Sequence, residues 1–141
     1  KNYNIIRLCG KGNLENTLNS VSGYAQFEYA NQELADMFAL ADLVISRAGA
    51  NALCEILALR KPALLIPYPK GASRGDQILN ANSFAEQGFS EVLEDEKASD
   101  QIVAKVTALY ENRSKYIEAI KSSHQTDAIP IIMGLLEEVQ K

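Results

Sequence analysis

Two short runs, Leu43-Val44-Ile45 and Ala63-Leu64-Leu65-Ile66, are apolar at every position. A strand that is apolar on both faces has to be covered on both, which is the condition of a parallel sheet flanked by helices. The intervening residues 51–59 read as a helix, broken by Lys61-Pro62. Further strands are expected at 4–8, 25–29 and 90–93, and a short helix at 14–20. Between 33 and 41, Leu34, Met37, Phe38 and Ala41 recur at spacings of three and four, an amphipathic helix. Asp76 is placed to cap a helix running through Ile78, Leu79, Phe84 and Ala85 to Gly88. Ser99 is placed to cap another, with Ile102, Val103, Val106 and Leu109 on one face. Helical stretches at about 113–122 and 128–140 complete the chain. The alternation predicts an α/β fold: one domain over 1–141 with a Rossmann-like, doubly wound parallel sheet.

A length of 141 residues, 47% of them apolar and 23% charged, suits one domain with a real core. A net charge of -4 weighs against a nucleic-acid surface. No apolar run approaches the roughly 20 residues that span a bilayer, and no basic leader with an apolar stretch marks export. Cys9 and Cys54 stand far apart and outside any CxxC pair, so they read as free thiols. Lys1-Asn2 leads almost directly into Ile5-Ile6-Arg7-Leu8, which reads as the start of a piece cut from a longer protein.

In such folds ligands bind beyond the carboxyl ends of the strands, and the chemistry-bearing loops follow those ends. The first is Ser46-Arg47-Ala48-Gly49-Ala50-Asn51-Ala52, with Glu55 about a turn inside the helix. Gly49 allows a tight turn and close approach, and unpaired amides at the helix start favour an anion. A carboxylate at Glu55 can take two hydrogen bonds from a sugar diol, and Asn51 can cap the helix or reach a ligand. The plainer alternative is a strand-to-helix turn with a glutamate complementing the helix start. The second loop, Gly10-Lys11-Gly12, could cradle a phosphate or be a solvated turn; it is not a P-loop. The third, 67–77, offers Arg74 as a fork of donors and an Asp76-Gln77 pair able to read sugar hydroxyls, or else only a helix cap. Tyr29-Ala30-Asn31 could meet a base edge or be an ordinary strand end. His124 is the sole histidine, and there is neither HExxH nor GxSxG, so no metal site or triad is expected. Cys54 reads as packing, Glu137-Glu138 as a solvated face, and Tyr110 and Tyr116 as cover for the core or for a domain neighbour.

Taken together, 41–49, Glu55, Pro62-Ala63-Leu64-Leu65-Ile66-Pro67, Asp76-Gln77 and Asn80-Ala81 closely resemble the C-terminal half of glycosyltransferase family 28. These are bacterial enzymes that add N-acetylglucosamine to the lipid-linked muramoyl-pentapeptide of cell-wall synthesis. The resemblance implies GT-B architecture, two Rossmann-like domains facing a cleft, with the C-terminal one holding UDP-N-acetylglucosamine. It implies that Glu55 grips the ribose hydroxyls and that Gly49 and Ala50 meet the diphosphate. It further implies that Gln77 contacts the donor sugar, with Asp76 and Arg74 beside it, and that the backbone at Asn31 reads uracil. Gly10-Lys11-Gly12 matches a loop near the cleft. Ala52 stands where many members carry a hydroxyl near the phosphate, Asp76 where some carry glutamine, and Ala30 where some carry an aromatic ring. The glycine-rich turn that opens the family's domain is missing and is expected upstream of Lys1.

The resemblance also implies an inverting transfer with no metal and no cofactor, UDP-N-acetylglucosamine being a substrate. No catalytic base is expected within these residues. The lipid-linked acceptor and any membrane contact, on the cytoplasmic face, are expected to involve a missing N-terminal domain, toward which the helices of about 113–140 either cross or, alternatively, pack back on their own domain. Two rivals stay open: the donor half of another GT-B transferase, such as a glycolipid glucosyltransferase or a two-subunit N-acetylglucosaminyltransferase, and a non-catalytic Rossmann-like binding module.

Overall fold

The computed structural model of the chain describes residues 3–71 and 75–123. By its internal contacts the chain divides into two compact units, Lys1–Asp42 and Leu43–Lys141. Arg74, His124, Glu137-Glu138 and the expected helix at 128–140 lie outside the described residues.

In the first unit, β1 (Ile5–Leu8) and β2 (Tyr24–Phe27) pair in parallel, Ile5 opposite Tyr24 and Leu8 opposite Phe27. The helix α1 (Glu33–Leu40) follows. The helix expected at 14–20 is only a 3-10 turn, Asn16–Leu18. Its loop is served by a β2 side chain: the Gln26 amide accepts from the Glu15 N–H at 3.0 Å. It also donates to Glu15 O and Asn19 Oδ1, each at 2.7 Å. Those bonds satisfy loop groups that a longer helix would have paired within itself.

In the second unit, β3 (Val44–Ser46), β4 (Ala63–Leu65) and β5 (Ser90–Val92) form a parallel sheet in the order β3-β4-β5. Its helices are α2 (Ala50–Ala58), α3 (Asp76–Glu86), α4 (Ala98–Glu111) and α5 (Arg113–Lys121). Only the central strand meets the expectation of burial on both faces: Ala63, Leu64 and Leu65 are all 0% exposed. On the outer strand β3, Ile45 remains 47% exposed. The core beneath joins Leu64, Ile66, Leu93, Leu109 and Tyr116, with Ile102 and Val106 against it.

The caps differ from those expected. Gly75, not Asp76, is the residue before α3, with φ +85°. A 3-10 turn, Asp95–Lys97, runs straight into α4, so Ser99 lies inside the helix and donates to Asp100 Oδ1 at 3.1 Å. Gly88, at φ +75°, does follow the end of α3, where the left-handed conformation suits glycine.

One polar group ties β5 to α4 and α5. The Glu91 carboxylate accepts from the Tyr116 hydroxyl at 2.5 Å and from Lys105 Nζ at 3.0 Å. Burial pushes Glu91 up, but the Tyr116 hydroxyl and the Lys105 ammonium outweigh it and hold the carboxyl below its usual range. Burial, and then the bond to Glu91, push the Tyr116 phenol up to about 12.

Candidate functional site

The strongest cluster forms where β3 turns into α2. Ala48 is fully buried and Gly49 precedes the helix in an ordinary extended conformation, φ -73° and ψ 142°. The tight-turn reading of Gly49 is therefore corrected: any residue adopts this backbone. What the glycine provides is space, since an added Cβ would meet nothing within 4 Å. The Leu53 N–H closes on Gly49 O at 3.1 Å, the first intrahelical bond. Ahead of it, the amides of Ala50, Asn51 and Ala52 have no acceptor among the described residues. Asn51 lies inside the helix and no side chain caps it, so its capping role is not realised.

Along α2, Leu53 and Ile56 turn into the core and fix which face is outward. Asn51, Ala52 and Glu55 share the other face by the three-and-four rule. Glu55 is exposed, and among the described residues its carboxylate has no partner. It lies about 7.5 Å along the axis from the helix start at Ala50, roughly the reach from a diphosphate to a ribose. Cys54 is exposed, not packed, because its neighbours Leu53 and Ile56 already take the inward positions.

The start of α3 is anchored against this turn. Asn80 Nδ2 donates to Ala48 O at 3.1 Å, one residue before Gly49. One turn earlier, Gln77 Oε1 accepts the Tyr68 N–H at 3.2 Å. Thus Gln77, Asn80 and the Gly49 turn, far apart in sequence, meet at one end of the sheet. Asp76 is exposed in the first turn of α3. A cavity of about 760 Å³ opens beside this cluster, lined by Tyr68, Ile78, Asn82, Leu93, Asp95 and Gln101 among others. Gly49, Glu55 and Gln77 are not in its wall.

Sequence reasoning missed Arg47. Its guanidinium donates to Ile66 O at 3.0 Å, pairs with Asp95 at 2.5 Å and lies 4.3 Å from the centre of the Tyr68 ring. The signal available was an arginine in the turn after one strand, with a tyrosine and an aspartate just after the next two strands.

The remaining candidates belong to the first unit. Gly10 and Gly12 both take positive φ, +80° and +76°. The Gly12 N–H is already bonded to Glu28 Oε1 at 2.6 Å, so a phosphate there would displace a carboxylate. Lys11 is exposed between them. The Asn31 N–H donates to Glu33 Oε2 at 3.3 Å, and Tyr29 is 65% exposed. Among the described residues, no group of three His, Cys, Asp or Glu is placed to hold a metal.

Comparison with known proteins places this geometry in a family context. The model of the glycosyltransferase family 28 C-terminal domain matches residues 1–132. The chain is 52% identical over 141 residues to the UDP-N-acetylglucosamine–N-acetylmuramyl-(pentapeptide) pyrophosphoryl-undecaprenol N-acetylglucosamine transferase of Lachnoclostridium phytofermentans, covering 99% of this chain and 40% of that protein. It is 53% identical over 139 residues to the protein of the same name from Clostridium tetani, covering 98% and 39%. The crystal structure of Acinetobacter baumannii MurG shares the fold, with a TM-score of 0.75 at 21% identity over 96% of this chain and 41% of that one. The chain therefore spans about two fifths of the length of the curated relatives it matches.

Proposed function

This chain belongs to the glycosyltransferase family 28 C-terminal domains, and from that membership we propose that it supplies the donor site of an N-acetylglucosaminyltransferase using UDP-N-acetylglucosamine. The observation that carries the reading is the Asn80–Ala48 bond, which ties the helix carrying Gln77 to the turn before α2, whose first amides, and Glu55 further along, have no partner among the described residues. Diphosphate suits the amides of Ala50, Asn51 and Ala52 and the open space at Gly49. A ribose diol suits the Glu55 carboxylate, which is acceptor-only when ionised. The donor sugar suits Gln77, next to Asp76 in the first turn of α3. In the first unit, a ligand at the Asn31 N–H or the Gly12 N–H would have to displace an internal carboxylate, Glu33 or Glu28.

In the reaction, the acceptor 4-hydroxyl attacks C1 of the donor sugar from the face opposite UDP. The new C1–O4 bond forms as the C1–O bond to diphosphate breaks, and the configuration inverts. The hydroxyl proton passes to a base outside these residues, and the electron pair leaves on UDP. The α2 amides act on that leaving charge, which grows in the transition state. The relatives' names specify a lipid-linked muramoyl-pentapeptide acceptor. On that basis the acceptor, and attachment to the cytoplasmic face of the membrane, are assigned to parts of the full-length protein outside this chain. A donor screen with the full-length protein and that acceptor tests the reading. Transfer from UDP-N-acetylglucosamine, and not from UDP-glucose, is expected; absence of transfer from any nucleotide-sugar would leave a binding module instead.

A further inference from the structure

Arg47 stands two residues before Gly49, and its side chain is engaged elsewhere. They run across the carboxyl ends of all three strands of the second unit. The guanidinium bonds Ile66 O, just past β4, and Asp95, just past β5. The guanidinium carbon lies over the Tyr68 ring, 4.3 Å from its centre. Tyr68 in turn gives its N–H to Gln77 Oε1, and the helix carrying Gln77 returns through Asn80 to Ala48, the neighbour of Arg47. The contacts close a ring: Arg47, Tyr68, Gln77, Asn80, Ala48.

We propose that Arg47, held by Asp95, is a positioning residue for the donor sugar. Through the Ile66 carbonyl and the Tyr68 ring it holds the stretch that carries the Tyr68 N–H, and that N–H sets which end of the Gln77 amide is free. With Oε1 engaged by the Tyr68 N–H, the Gln77 NH₂ is the end left for a ligand. Gln77 therefore presents both N–H groups of its amide to an acceptor oxygen on the sugar or phosphate. The geometry favours arginine over lysine here. One guanidinium nitrogen, Nη1, bridges the carbonyl and the carboxylate while the carbon beside it lies over the aromatic ring, and an ammonium would have to serve all three from a single atom. The inference rests on the donor-site reading above and adds to it the residue that orients one of its contacts.

The test uses the full-length protein, with donor and acceptor kinetics measured separately. Gln77→Ala serves as the reference. Arg47→Lys and Asp95→Asn are expected to raise the donor KM by roughly three- to tenfold, the worth of one hydrogen bond. The acceptor KM should hold. The double variant Arg47→Lys/Gln77→Ala should be no worse in donor KM than Gln77→Ala alone, because both act through one amide. Gln77→Glu, which keeps an acceptor for Tyr68 but loses the donor, should match Gln77→Ala. A merely structural Arg47 would lower Tm and the amount of active protein and leave the donor KM in place. That result in both Arg47→Lys and Asp95→Asn, beside a raised donor KM in Gln77→Ala, overturns the positioning role alone. An unchanged donor KM in Gln77→Ala overturns the assignment of Gln77 to the donor site and this inference with it.

Discussion

Gly75 at the start of α3 has φ +85°, a region where an L side chain costs roughly 1–2 kcal/mol. Gly49 at the start of α2 sits in extended backbone with open space where a Cβ would be. Substitution by alanine should separate the two. Gly75→Ala should lower stability by about 1 kcal/mol net of the stiffer unfolded chain, read as a fall in Tm. Gly49→Ala should leave Tm within a degree or two and instead raise the donor KM, because the methyl occupies ligand space; a large loss of stability there would contradict the geometry. Of the two reasons the sequence offered for Gly49, a tight turn and room for close approach, the extended backbone removes the first, since φ cannot be read from a glycine alone, and the open space agrees with the second. Arg47 was invisible for a different cause. Its partners Ile66 and Asp95 are 19 and 48 residues away, and no local pattern announces a bond across two strands.

Among the elements, β4 and β3 show what an apolar run does and does not determine. The runs at 43–45 and 63–66 that supply them are both apolar throughout, but only β4 is flanked by strands on both sides. Truncating it, Leu64→Ala, should cost about 2–5 kcal/mol in a denaturant melt, because a fully buried leucine leaves a cavity. Periodicity found the amphipathic α1 and α4 within a residue or two, and it failed at 14–20, where Gln26 reaches over from β2 to satisfy the loop. The Glu91–Tyr116 link between β5 and α5 makes a pH prediction. Tyr116 is raised from 10.0 to about 12, so its contribution is present in full below pH 10 and is lost as pH rises through about 12. Glu91 is depressed from 4.5, so its contribution is present above that value and is lost as pH falls through the lowered one. Chemical melts of Tyr116→Phe should show about 1 kcal/mol less stability near neutrality and a flatter alkaline limb; an alkaline limb identical to the parent chain would contradict the link.

At the scale of the molecule, family and fold are legible because the motif from 41 to 81 carries both the strand-helix alternation and the polar loops at one sheet end. The division into two compact units was not, since each is built from the same alternating pattern. The chain covers about two fifths of its relatives' length, and the proposed donor site leaves the acceptor and the base to the remainder. Calorimetry of the isolated chain should accordingly find UDP-N-acetylglucosamine binding weaker than micromolar; micromolar affinity would mean that these residues suffice for the whole site. The central claim is that the α2 amides and the Glu55 carboxylate hold one ligand between them. The donor KM of the full-length protein carrying Glu55→Ala tests it most directly. Loss of a charged partner to a diol should raise it roughly ten- to a hundredfold with the acceptor KM unmoved, and a donor KM equal to that of the parent protein would contradict it.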